Sequence, residues 1–145
     1  EGMITRDAIV AEARTWIGTP YHHQASVKGV GCDCIGLVRG VWRTLIGPEP
    51  EPVPGYPRDW GDANGREEII ALGLRHLVPV TVDRLAPGDV IALRWQEGRV
   101  AKHTMIMSYD GCAIHACNWT PVSEIYLSRW WRDKIAMVFQ FPGVE

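Results

Sequence analysis

Apolar residues recur at helical spacing in the first half of the chain and at strand spacing in the second. "TRDAIVAEARTWIG" opens on Thr5, a hydroxyl residue suited to capping a helix. Ile9, Ala13, Trp16 and Ile17 then fall on one face, and Gly18 can close the last turn. "DCIGLVRGVWRTLIG" repeats the pattern. Asp33 is its cap, Leu37, Val38, Val41, Trp42 and Leu45 form its apolar stripe, and Gly47 ends it. "REEIIALGLRHL" predicts a third helix.

After Pro79 the period shortens. "DVIALRW", "HTMIMSY", "AIHAC" and "IAMVFQF" are apolar, β-branched or alternating runs that predict strands, with turns at "APGD" and "YDG". Asp110-Gly111 is a strong hairpin signal. "LSRWWRDK" reads as a short helix or turn before the last strand. Helices first and an antiparallel sheet second predict an α+β domain, not alternating βαβ units.

Between the second and third helices, positions 47–65 include "PEPEPVPGYPRDWGDANG". Proline at this density excludes a helix or a central strand. A connection this long in a compact domain reads as a functional loop or flap, with Tyr56 and Trp60 as its candidate contacts to a partner.

The chain has 145 residues, which suits one domain over 1–145, with Glu1-Gly2 read as an expression scar before Met3. The net charge is −2 and no basic run occurs, so a nucleic-acid partner is not expected. No apolar run approaches the roughly 18 residues of a membrane span. No basic stretch leads into an apolar one at the start, so synthesis in the cytoplasm without a signal peptide is the expectation.

The chemistry centres on Cys32 and Cys34, either side of Asp33. Three readings compete. A disulfide framework would use these with Cys112 and Cys117, but a bridge between Cys32 and Cys34 would close a short, strained ring. A zinc site would draw four ligands from these cysteines with His103 and His115, although C-x-C and C-x₄-C are not the usual paired C-x₂-C spacing. The third reading is a nucleophile. Cys34 follows the cap, where unpaired N–H groups and partial positive charge lower a thiol pKa and can hold an oxyanion. A small buried packing cysteine would fit the same position.

A thiol nucleophile needs a base, and the base needs an orienting group. His76 ends the third helix as a solvated or capping residue, and His22 and His23 sit in a loop and read as exposed. His103 and His115 lie on predicted strands of one hairpin. In a two-residue hairpin centred on Asp110-Gly111, His103 faces position 118 and His115 faces position 106. That offset is diagonal, and a bulge or slip would bring the rings together. A hydrogen-bonded pair of strand histidines without chemistry fits equally well.

"WIGTPYHHQ", "GCDCIGLVRGVW", "LAPGDVIALRW", "KHTMIMSYDG" and "AIHACNWTPVSEI" together resemble the NlpC/P60 cysteine peptidases, in order and over nearly the whole chain. They are most similar to short, leaderless members from phages and gene transfer agents. The resemblance implies a papain-like fold and cleavage of peptidoglycan stem peptides, typically between D-glutamate and a diamino acid, with no cofactor and no metal. It implies Cys34 as nucleophile, His103 as base and His115 as the third polar residue, with Tyr21 and Asp33 binding substrate. It also implies phage-tail-like particle proteins as partners, and a virion or tail-like particle acting in the periplasm. A structural tail or tail-hub component with weak or lost activity, or an N-acetylmuramoyl-L-alanine amidase, would be the alternatives. Ile35 stands where the family usually has serine, and Thr104 and Met105 replace its usual small residues after the base.

Overall fold

The computed structural model describes residues 3–53, 55–57 and 65–144. Trp60, most of the second half of the proline-rich loop and Glu1-Gly2 lie outside the described residues. The helices are α1 (Arg6–Arg14), α2 (Cys34–Leu45), α3 (Glu68–His76) and α4 (Arg129–Arg132). The strands are β1 (Ser26–Val27), β2 (Gly31–Cys32), β3 (Val78–Val80), β4 (Val90–Arg94), β5 (Ala101–Met107), β6 (Cys112–Cys117), β7 (Thr120–Tyr126) and β8 (Ile135–Gln140). β1 and β2 form a small hairpin ahead of α2, and the other six strands form one antiparallel sheet in the order β3-β8-β4-β5-β6-β7. This is the expected α+β arrangement.

Thr5 caps α1, its hydroxyl accepting from Ala8 N–H at 3.0 Å. The helix stops earlier than its apolar pattern predicts. Arg14 is its last residue, Trp16 is buried by the turn that follows, and Ile17 is 46% exposed instead of buried. Trp16 packs across α2 at Gly40, where a Cβ would come within 2.0 Å of the indole ring. Gly40 is thus the position that lets α1 and α2 approach.

β4 and β5 are buried on both faces, which explains their continuous apolar runs. One face, with Val90, Ala92, Ile106, Ile114 and Phe139, packs on Ile35, Leu37 and Val41 of α2 and Ile69 of α3. The other face, with Ile91, Leu93, Met105 and Met107, is covered by Leu85, Leu127, Trp131 and Ile135. The strands missed by pattern are short or at an edge. β3 and β7 bound the sheet, and each carries a proline, Pro79 and Pro121, which an edge strand tolerates because one side of its backbone needs no partner.

Asp110 (φ 56°) and Gly111 (φ 75°) form the turn between β5 and β6. Ser108 N–H nevertheless donates to the Cys112 carbonyl at 2.8 Å, while Cys112 N–H donates to the Tyr109 carbonyl at 3.0 Å. One extra residue is absorbed beside the turn. Ile106 therefore pairs with Ile114, and Met107 with Ala113, one position away from the symmetric register. Carried along β5, that register makes His103 and His115 diagonal neighbours on one face.

Candidate active site

α2 begins where the sequence places it. Asp33 is its cap, with Oδ1 accepting from Gly36 N–H at 2.8 Å, and Cys34 is its first helical residue. The other carboxylate oxygen accepts from Gln24 N–H at 2.7 Å and from the Tyr56 hydroxyl. Asp33 is 3% exposed. Its oxygens are committed to protein partners, so the structural role of this carboxylate is filled before any substrate arrives.

Gly36 fixes the same corner. A Cβ there would lie 2.0 Å from the Ala25 carbonyl oxygen, which accepts from Asp33 N–H at 3.2 Å. Close approach of the backbone at Ala25, just before β1, to the start of α2 requires glycine at that position.

Tyr21, His23, Asp33, Cys34, Trp95, Lys102, His103, Ala116, Cys117 and Asn118 line one cleft with a cavity of about 100 Å³. Cys34 and His103 both open onto it. His103 Nε2 and His115 Nδ1 share a hydrogen bond of 2.8 Å. Trp95 stacks on His103 with ring centroids 5.3 Å apart and planes at 21°, and Trp131 stands edge-on to His115 at 5.6 Å. The imidazoles are thus held by a hydrogen bond on one side and by indole faces on others. Of the five residues singled out by sequence, four line this cleft and the fifth, His115, bonds to one that does.

Burial reverses one expectation. The start of a helix favours a thiolate, and N–H groups of Ile35 and Thr104 do act in that direction at Cys34. Burial, seconded by the Asp33 charge, outweighs them and pushes the thiol up to about 12. Burial also takes His103 down to about 3, helped by His115, and His115 down to about 4. Burial thus favours the uncharged form of each group, thiol and imidazole alike. Cys32, also buried, is pushed up to about 12 chiefly by desolvation and does not line the cleft. All four cysteines stand as free thiols in the structure.

Several neighbours of the site escaped the sequence reading. His23, expected to be exposed, bonds through Nε2 to the Tyr56 carbonyl at 2.9 Å and sits edge-on to the Tyr56 ring. Tyr56, expected on a docking surface, is 8% exposed and buried against Asp33. Its phenol is raised well above the ordinary tyrosine value, by desolvation first and the Asp33 hydrogen bond second. Trp95 had a signal that went unread. It follows β4 directly, and β4 pairs Leu93 with His103.

Ile35 turns away from the cleft. It lines a second, almost wholly apolar cavity between α2, α3 and the sheet, together with Val38, Ile69, Leu72, Thr104 and Phe139. The Thr104 hydroxyl is buried there with no hydrogen-bond partner within ordinary distance, although it lies near enough to Cys34 to favour the thiolate. His76 is not free in solvent. It pairs with Glu51, anchoring the first part of the proline-rich loop to α3.

No protein-family model matches the chain. A gamma-DL-glutamyl hydrolase of Bacillus subtilis (strain 168) is 28% identical over 137 residues, covering 94% of this chain and 29% of that protein. The chain therefore spans less than a third of that relative's length. Among solved structures, an NlpC/P60 family protein from Bacillus cereus ATCC 10987 superposes with a TM-score of 0.68 at 20% identity, over 96% of this chain and 41% of that one. The NlpC/p60 domain of the peptidoglycan hydrolase SagA gives 0.64 at 22%, over 95% and 100%. The peptidoglycan hydrolase RipB from Mycobacterium tuberculosis gives 0.55 at 17%, over 93% and 63%. The fold of this chain is the NlpC/P60 fold.

Proposed function

We propose that the chain is an NlpC/P60 cysteine peptidase that hydrolyses peptidoglycan stem peptides at the bond between D-glutamate and the diamino acid. The observation that carries this reading is the cleft shared by Cys34, first residue of a capped helix, and His103, hydrogen-bonded to His115 at 2.8 Å. The likeness to a gamma-DL-glutamyl hydrolase supports the choice of bond.

With the uncharged form of each group favoured, proton transfer accompanies attack. The Cys34 sulfur adds to the carbonyl carbon as its proton passes to His103. Backbone N–H groups at the start of α2, with the Tyr21 hydroxyl at the cleft wall, receive the oxyanion. Collapse expels the amine, to which His103 returns the proton. Water then adds to the thioester as His103 takes its proton, and the acid leaves as that proton returns to sulfur. His115 is a positioning residue, fixing the His103 ring and tautomer through their shared bond. Trp95 and Trp131 pack on the imidazoles and hold the rings in place, and the burial of His103 lowers its basicity.

Asp33 acts in this scheme by building the helix start. Both carboxylate oxygens already accept from protein donors and Ile35 brings no hydroxyl, so a free substrate amine finds fewer partners there and selection for a trimmed stem peptide is weak. A phage-tail-like particle as carrier belongs to the same proposal, and copurification with such particles tests it.

Mass spectrometry of muropeptides digested by the purified protein tests the cleavage. The reading predicts fragments ending in D-glutamate and partners beginning with the diamino acid. Release of whole stem peptides from muramic acid would contradict it and identify an amidase.

A further inference from the structure

We propose that His103, His115 and Cys117 form a reversible site for a soft divalent cation of the zinc type, and that loading it shuts the hydrolytic site. One ligand atom from each of the three side chains lies within 4.8 Å of the others. Two imidazole nitrogens and one thiolate are the donor set zinc prefers. Cys117 is a free, half-buried thiol on the cleft wall, two positions beyond His115 on β6, and the hydrolytic scheme gives it no task.

The geometry asks for little movement. Zinc binds nitrogen at about 2.0–2.1 Å and sulfur at about 2.3 Å, so tetrahedral ligation sets the two nitrogens roughly 3.3 Å apart and each roughly 3.6 Å from sulfur. The His103 and His115 nitrogens stand 2.8 Å apart and must part by about half an ångström, while the thiol closes by at most about 1.2 Å. Side-chain rotation supplies both. Three protein ligands leave the fourth position open to water from the cleft. Trp95 and Trp131, packed on the two rings, hold them in place around the ion.

Protons balance simply. Cys117 releases its thiol proton to solvent when it ligates. The N–H that bridges the two rings is lost from the bridge, and that ring carries its proton on the outer nitrogen instead. Each ring then offers a bare nitrogen to the cation. His103 can no longer accept the Cys34 proton, and attack stops. The inhibitory half of this proposal rests on His103 being the base; the binding half does not.

Cobalt(II) and zinc titrations of the whole chain test it. Wild type should take one equivalent of cobalt with a sulfur-to-cobalt charge-transfer band, and zinc should displace it. Cys34→Ala should keep the band. Cys117→Ser should lose it and bind zinc at least tenfold more weakly, with an unchanged circular dichroism spectrum. In stem-peptide hydrolysis, micromolar zinc should slow wild type at least tenfold and a chelator should restore it, while Cys117→Ser, measured against its own zinc-free rate, should show at least tenfold less zinc sensitivity. No band in wild type, a band kept in Cys117→Ser, or a band lost in Cys34→Ala would overturn the site. A normal band with zinc-insensitive hydrolysis would overturn the inhibition. Zinc-free wild type that cleaves no stem peptide would instead refute the proposed function, and the cobalt spectra would still decide the site.

Discussion

The Tyr56 hydroxyl donates to the Asp33 carboxylate and so ties the proline-rich loop to the cap of the helix that carries Cys34. The Tyr56 carbonyl doubles the link, accepting from His23 at 2.9 Å and from the Gln24 side chain at 2.7 Å. Tyr56→Phe keeps the ring and removes only the donor. Because the acceptor is buried and charged, the variant should lose about 1.5–3 kcal/mol of stability. Urea unfolding measures this, and an unchanged midpoint would show that the tie carries no weight.

Gly36→Ala should be more damaging. Its Cβ would meet the Ala25 carbonyl oxygen at 2.0 Å, and backbone on both sides leaves no flexible atom to yield. A loss of about 3 kcal/mol is expected from overpacking at this corner, read as a lowered melting temperature. Activity per folded molecule should fall as well, because the start of α2 must move.

Thiol alkylation should report the burial of Cys34. With its pKa pushed up to about 12, the native thiol is almost entirely protonated at pH 7. Its reaction with iodoacetamide should be slower than that of a free cysteine at pH 7 and should climb steadily above pH 9, followed by peptide mass spectrometry. A rate already at its plateau at pH 7 would indicate a resting ion pair with His103.

Glu124 on β7 accepts from Arg14, the last residue of α1, at 3.0 and 2.9 Å and from the Ser108 hydroxyl at 2.7 Å. The Arg14 hydrogen bond, the largest influence, holds this carboxyl below its ordinary value against a smaller opposing effect of burial. A depressed folded pKa means the contribution is full above the ordinary value of 4.5 and is lost as pH falls through the folded one. Arg14 is 43% exposed, so solvent limits the gain to about 1 kcal/mol or less. Glu124→Gln should therefore lower stability slightly at pH 7, and the difference from wild type should shrink as pH falls below 4.5 and through the lowered folded value, as denaturation curves at several pH values would show.

The cap and the three long helices were legible because their signals are local. Thr5 and Asp33 each bond an N–H three residues on, and apolar spacing marks the faces behind them. The central strands were legible because burial on both faces makes them continuously apolar. Ile17 misled because α1 ends at Arg14, so helical spacing no longer governs its direction. β7 was hidden by Pro121, which reads as a breaker and is tolerated only because the strand is an edge. At the site, the order Cys34, His103, His115 could be read along the chain, but the preference for the uncharged forms could not. Each group's preference for its uncharged form depends on burial, which only the folded chain reveals; Trp95 and Trp131, packed on the histidines, are brought in by register and by α4. Tyr56 was equally hidden, since nothing in a proline-rich loop announces which residue turns inward.

The most direct test of the central claim compares Cys34→Ala with Cys32→Ala in hydrolysis of a D-glutamyl–diamino acid stem peptide, both variants checked for folding by circular dichroism. The two thiols are two residues apart and both buried, but only Cys34 lines the cleft with His103. The account predicts that Cys34→Ala abolishes turnover, by at least a thousandfold, while Cys32→Ala stays within a few-fold of wild type. Turnover surviving in folded Cys34→Ala, or lost only in folded Cys32→Ala, would contradict it.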